Sequence, residues 1–429
     1  MITQKLYEND SYVKEFDAVV TDCVPVQQIF GSEVALPKAG APDQAGGKAP
    51  GQSDSKAGAG NASAAGGKAG AWAVELDRTA FFPEGGGQNA DTGWLGGGRV
   101  YDVQIVDGRL WHCTDFHGEK GERVHGCLDW EQRFSNMQQH SGEHIFSGLV
   151  HRYFGYNNVG FHLGSQAVTM DFNGVLDAGD IQQIESQVNQ AIVENVPIYV
   201  SYPDKEELET IEYRSKIQID GQVRLITVEG WDVCACCAPH VARTGEIGLL
   251  KVTDFQKYKG GTRISILCGF RALKDYCRIQ DELRCISRLL SAPFGQVAKA
   301  VERKLEENGQ LRQKAVELTG QLIEKDIDAI AQGQENAWFF KENLEAPAMR
   351  RAVNLALEKV GGYAGVFGGS DSQGYKYIIG TKSGDARLLA AALKEKLGAR
   401  GGGSPQMVQG SVTASRKDIE SVLGDDLQG

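Results

Sequence analysis

The sequence predicts a multidomain α+β chain: an N-terminal β barrel, an α+β domain built around histidine and cysteine pairs, a helical hairpin, and a C-terminal α/β domain. Three observations carry this prediction. Alternating apolar and polar runs dominate up to about residue 128. Beyond it, two short motifs, His140-Ser141-Gly142-Glu143-His144 and Cys236-Cys237-Ala238-Pro239-His240, tie together segments far apart in sequence. From Leu273 the apolar residues step by threes and fours, and strand and helix patterns alternate again from about Trp338. The corresponding boundaries are 1–128, 129–268, 269–336 and 337–429, consistent with the two to four domains that 429 residues support.

Composition narrows the possible functions. A net charge of −11 provides no global basic field, which argues against a non-specific DNA binder but leaves room for an RNA held by a local patch and by shape. Nine cysteines, an odd number in a long chain, do not form a disulfide framework. The start, Met1-Ile2-Thr3-Gln4-Lys5-Leu6, lacks a signal peptide's apolar core, and no apolar run is long enough to span a bilayer. A reducing cytoplasm is expected, where cysteine and histidine clusters serve as metal sites or catalytic groups.

In chain order, Glu15–Val20 and Val24–Val26 alternate as strands, whereas 37–70 reduces to alanine, glycine, proline, lysine and small polar residues. Such a stretch buries too little apolar area to offset its ordering entropy, so it reads as a disordered insertion in a surface loop. Order resumes with the strand Ala71–Leu76, which leads into Phe82-Pro83-Glu84-Gly85-Gly86-Gly87-Gln88 and Asp91-Thr92-Gly93. Three successive glycines after a strand mean a tight turn with positive φ or a close backbone approach. Strands at Arg99–Val106 and Leu110–Thr114 complete the first domain, and Asp129 is placed to cap the next helix.

On that helix the spacing of His140 and His144 puts both imidazoles on one face, one turn apart, where they can share a metal. Cys236 and His240, again four apart, add a sulfur and a third nitrogen. Three nitrogens and one sulfur suit four-coordinate Zn²⁺; the alternative is a satisfied core histidine pair beside buried free thiols. Around these motifs, strands are expected at Ala167–Phe172, Ile198–Ser201, Val223–Val228, Gly245–Asp254 and Arg263–Cys268, with a helix near Asp180–Asn195. Two helices broken at Ser291–Gly295 form the hairpin, a spacer or dimer arm. In the last domain helices are expected at Met349–Val360 and Asp385–Leu397 and strands at Tyr363–Phe367 and Lys376–Thr381. The glycine run Gly401–Gly403 then offers bare amides to a phosphate.

The order of the glycine motif, His140-x-x-x-His144, and Cys236-x-x-x-His240 followed by Thr244-Gly245-Glu246-Ile247-Gly248 resembles the editing half of alanyl-tRNA synthetase. It is most similar to the free-standing alanyl-tRNA editing proteins called AlaX, in their long form. The tail from Arg400 to Gly410 resembles the DHH-associated domain that closes those synthetases. The resemblance implies a zinc hydrolase that removes serine or glycine wrongly esterified to tRNA(Ala), with His140, His144, Cys236 and His240 as ligands. It leaves no room for the aminoacylation domain. Gly86, Gly87, Gln88 and His162 are candidate substrate contacts, and Glu143 is a candidate base or reader of the serine hydroxyl. A homodimer through the hairpin and C-terminal domain is a candidate assembly.

The sequence departs from the family at three points: Cys237-Ala238 replaces the usual glycine pair, Pro239 precedes the histidine, and Glu143 stands where synthetases often have threonine. Cys234 and Cys237 remain alternative sulfur donors. Two other functions stay open, a zinc metallopeptidase of the inverted H-x-x-E-H type and a non-catalytic, zinc-stabilised tRNA-binding module.

Overall fold

The computed structural model describes residues 2–31, 71–164, 167–215, 221–342 and 344–425. The insertion expected over 37–70 lies outside them. The architecture is mixed α+β with several sheets, and the chain divides into two compact units, Met1–Asp281 and Glu282–Gly429.

In the first unit, strands Glu15–Pro25, Trp72–Leu76, Arg109–Thr114, Gly98–Val106, Gly93–Leu95 and Arg123–Leu128 follow one another, in that order, around a closed antiparallel sheet. Phe16, Val20, Val74, Phe81, Leu95 and Val103 fill its interior. The closing strand, Arg123–Leu128, alternates in burial, with Val124, Gly126 and Leu128 buried. Its Gly126 is where a Cβ would meet the Phe16 ring at 2.5 Å, so a core aromatic takes the place of a strand side chain.

The helix Trp130–Phe154 leaves the barrel directly and runs through the middle of the unit. Every residue from Asn136 to Val150 is buried. Its polar members are accommodated by specific bonds. Gln139 exchanges hydrogen bonds with the Cys268 backbone (2.9 and 2.7 Å), and Gln138 donates to the Glu246 carbonyl (2.9 Å). Asp129 occupies the N-cap position without capping, because its carboxylate is taken by Arg99 and Thr92.

Around this helix lie a four-stranded antiparallel sheet and a three-stranded one. The first runs Leu250–Tyr258, Gly261–Cys268, Val168–Phe172 and Asn158–Leu163; the second runs Ile198–Ser201, Leu225–Val228 and Asp232–Ala235. The helix Ala178–Glu194 starts two residues before the expected Asp180 because Asp177 and Asp180 form a reciprocal capping box. The strand expected from Gly245 begins at Leu250 instead. Thr244 anchors a short 3₁₀ turn by donating to the Ala191 carbonyl at 2.7 Å, and Gly248 at φ +83° ends it.

The helix Gly269–Leu290 and the helix Val297–Asp328 are separated at Ser291–Gln296, as the sequence predicts. Ile323 and Ile327 of the latter join the core of the second unit, whereas Leu305, Leu311 and Leu318 are exposed. The second unit's sheet runs Ala337–Lys341, Tyr363–Ser370, Gly374–Thr381, Met407–Val412 and Arg400–Gly403, parallel only in its first pair. The glycine run therefore forms an edge strand rather than a bare loop. A Cβ on Gly401 would lie 2.4 Å from the Gln409 carbonyl oxygen of the neighbouring strand, which accounts for glycine there. Among the described residues, no helix is long and apolar enough to cross a membrane.

Candidate metal centre

His140 and His144 project from the central helix, and Cys236 and His240 come from the loop that follows the strand Asp232–Ala235. One donor atom from each of the four lies within 4.8 Å of the others, so the set could hold a metal ion. The Cys236 sulfur is 3.6 Å from His140 Nε2 and 3.5 Å from His240 Nε2. The three histidines are buried, and Cys236, half-buried, is the member nearest solvent.

Each imidazole has a separate group at its other nitrogen. His140 Nδ1 is 2.8 Å from Gln88 Oε1, and His240 Nδ1 is 3.0 Å from Ser141 Oγ. His144 Nδ1 faces the Asp232 carboxylate at 3.4 Å. Partners of this kind fix the tautomer and orientation of metal-binding histidines. The Ala238 amide donates to the Cys236 sulfur at 3.4 Å, and Arg224 Nη1 donates to the carbonyls of Cys236 and Ala238 at 2.8 and 3.1 Å, fixing the loop's path.

The electrostatics favour a thiolate among imidazoles. Burial opposes ionisation of the Cys236 thiol, yet His140, His144 and His240 hold it well below the usual thiol range. Burial pushes His240 down to about 3, so it offers a neutral ring. Burial would lower His144 too, but Cys234, Asp232 and Cys236 hold it well above the usual histidine range. A metal ion needs the sulfur as a thiolate, and that is the form these imidazoles favour.

The glycine motif reaches the centre through a tight turn. Gly85 and Gln88 exchange backbone hydrogen bonds at 3.1 Å around Gly86 and Gly87, which have φ of +61° and +83°. Gly87 also packs against the strand Asn158–Leu163. A Cβ there would lie 2.3 Å from the Phe161 carbonyl oxygen, and the Gly87 carbonyl accepts from the Leu163 amide at 2.7 Å. The turn and the close approach are thus the same feature, and together they aim Gln88 at His140. Behind it, buried Asp91 accepts from the Phe82 amide (2.7 Å) and from the guanidinium of Arg133, a fully buried residue of the central helix.

The remaining predicted residues are placed as follows. Glu143 is buried, and its Oε1 accepts from Ser147 Oγ at 2.7 Å and Asn158 Nδ2 at 2.6 Å. His162 is exposed on the strand Asn158–Leu163, opposite Thr169. Cys237 is exposed, and Cys234 is buried in a second candidate set with His144 and Asp232. Sequence reasoning missed Ser141, Arg214, Arg224, Asp232 and Phe161, whose ring lies 4.9 Å from that of His140. Ser141, inside the His140–His144 motif, had a sequence signal; the others meet the site only through the fold.

Comparison with known proteins places these motifs. Residues 223–265, which include Cys236 and His240, match the family model described as the threonyl and alanyl tRNA synthetase second additional domain. The chain is 28% identical to the alanyl-tRNA editing protein AlaX-L of Pyrococcus horikoshii, over 83% of this chain and 91% of that one. It is 29% identical to the alanyl-tRNA editing protein Aarsd1 of Danio rerio, over 69% of this chain and 66% of that one. It is 28% identical to an alanine–tRNA ligase of Ignicoccus hospitalis over 77% of this chain, but spans only 37% of the ligase. Across most of its length, therefore, this chain resembles the long-form AlaX alanyl-tRNA editing proteins.

Proposed function

We propose that this chain is a zinc-dependent hydrolase that deacylates tRNA(Ala) mischarged with serine or glycine, acting in the cytoplasm on esters made by another enzyme. The observation that carries this reading is the convergence of His140, His144, Cys236 and His240, within a chain that aligns over 83% of its length to 91% of AlaX-L. Zinc is the metal favoured by this donor set. Tetrahedral bonds of ~2.0–2.1 Å to nitrogen and ~2.3 Å to sulfur put adjacent N and S donors ~3.6 Å apart. The sulfur–nitrogen separations of 3.6 and 3.5 Å match that spacing.

When bound, zinc can polarise the ester carbonyl, activate a water or hold the substrate's α-amine. The chain's own residues supply the rest. Gln88, Ser141 and Asp232 orient the rings, and the half-buried Cys236 side leaves the approach for an acylated 3′ end. Gly86, Gly87 and Gln88 are the proposed substrate contacts nearest the centre, with His162 on the exposed strand beside them. Four permanent ligands close a zinc site by the usual rule, so turnover in this scheme requires an exchangeable or expanded coordination position. In the four-part division 1–128, 129–268, 269–336 and 337–429, the first two parts carry chemistry and the last two serve tRNA engagement and homodimer formation.

A peptidase of the inverted type needs a downstream glutamate as third ligand, and the four-residue set contains none among the described residues. Glu143 separates the two readings. Its carboxylate is bonded to Ser147 and Asn158, which favours a role in substrate preference over one as base. Glu143→Gln is expected to shift the serine-over-glycine preference by about 1–3 kcal/mol while turnover of Gly-tRNA(Ala) is largely kept. A loss of about 10²-fold or more in kcat on both charged tRNAs would instead identify a base.

Deleting Pro42–Ala69 is expected to leave deacylation nearly unchanged, since the segment has no large apolar side chain with which to dock. A several-fold loss of activity in the deletion variant would show that it contacts tRNA. The proposed function itself is tested with tRNA(Ala) charged with serine, glycine and alanine. Hydrolysis of the first two and sparing of the third are expected, and stability of all three esters would contradict it.

A further inference from the structure

His144 belongs to two sets of donors at once. One is the four-residue set with His140, Cys236 and His240; the other consists of His144, Asp232 and Cys234. The contacts of Asp232 decide between them. Arg214 Nε donates to Asp232 Oδ1 at 2.8 Å and Arg214 Nη2 to Oδ2 at 2.7 Å, a bidentate pair that engages both carboxylate oxygens. The guanidinium thus already stands where a cation bound to Asp232 would stand. With Nδ1 of His144 turned to Asp232 at 3.4 Å, the ring's other nitrogen remains for the four-residue set.

Arg214 is itself held firmly. Its amide donates to the Val233 carbonyl and its carbonyl accepts from the Ala235 amide, both at 2.9 Å, and Nη2 also donates to the His144 carbonyl at 3.2 Å. One guanidinium therefore touches the carboxylate behind the His144 ring and the backbone that carries it. The central helix makes room for this arrangement at Gly148, where a Cβ would come within 2.6 Å of Asp232 Oδ1. His140 and His240 have neutral partners in Gln88 and Ser141; among the three rings, His144 is the one backed by a carboxylate.

We propose that Asp232 and Arg214 are positioning residues of the metal centre: Arg214 fixes the Asp232 carboxylate, and Asp232 fixes the His144 ring toward the four-residue set without becoming a ligand. This inference rests on the proposed metal site. Outer partners of this kind, when removed, lower metal affinity by about 10- to 100-fold.

The test uses the full chain and zinc alone, with affinity read by chelator competition and folding by circular dichroism. Wild type is expected to bind one equivalent. Asp232→Asn removes the charge at nearly constant shape. Gly148→Ala leaves Asp232 chemically intact but pushes its carboxylate away, and it carries the measurement if Asp232→Asn does not fold. Both variants are expected to stay folded, to bind zinc about 10- to 100-fold more weakly, and to show an altered visible spectrum when loaded with Co²⁺. A purely structural role would lower the melting temperature and leave metal affinity and the Co²⁺ spectrum unchanged, and that result in a folded variant would overturn the inference. A second tightly bound equivalent in wild type would overturn it too, by making Asp232 a ligand. Failure of the wild type to bind zinc at all would instead remove the metal site on which the inference rests.

Discussion

Cys236→Ala is expected to remove bound metal and ester hydrolysis together, while the chain stays folded. The Cys236 sulfur lies 3.6 and 3.5 Å from two imidazole nitrogens and is the only anionic donor in the four-residue set. Its loss leaves three neutral nitrogens and also deprives the Ala238 amide of its acceptor. The loss of affinity should exceed the ~100-fold limit typical of an outer partner. His144→Ala should behave similarly. Metal analysis of the purified variants, alongside deacylation rates, checks both, and full zinc retention in the two variants would refute the ligand assignment.

Arg133→Ala is expected to cause a large loss of stability from a change outside the centre. Arg133 is 0% exposed and Asp91 1% exposed, and the guanidinium donates to the Asp91 carboxylate, to the Ala80 carbonyl at 2.5 Å and to the Ser11 carbonyl at 3.1 Å. Removing it leaves a buried carboxylate without its counter-charge, which costs about 3–5 kcal/mol. The damage should also reach the metal, because Asp91 closes the loop that aims Gln88 at His140. Replacing both partners by apolar residues, as in Arg133→Met with Asp91→Leu, should cost much less than the single change. Urea unfolding of the three proteins measures the difference. A loss below about 1 kcal/mol in Arg133→Ala would show that the pair does not hold the loop.

The candidate ligands were legible in the sequence because each pair is local: four residues on a helix or within one loop place two donors together without reference to the rest of the fold. Cys236 could be separated from Cys234 and Cys237 only by the structure, which buries Cys234 beside His144 and Asp232 and exposes Cys237. The glycine motif announced a special backbone, but not that its turn and its contact with Phe161 are one feature. Asp232, Arg214 and Arg224 left no local signal, since a charged residue that ends up buried looks like any surface charge until its distant partner is known. The pairing of Arg400–Gly403 as an edge strand was not legible for a related reason. Glycines that admit a neighbouring strand have the same composition as glycines that bare their amides to a phosphate.

The most direct test of the central claim compares Ser-tRNA(Ala) hydrolysis by the protein as purified, after exhaustive chelation, and after restoration of one equivalent of zinc. The account predicts hydrolysis, then loss of hydrolysis with circular dichroism showing a folded chain, then recovery. Undiminished hydrolysis by a folded, metal-free chain, or cleavage of peptides but not of the ester by the zinc-loaded protein, would contradict it.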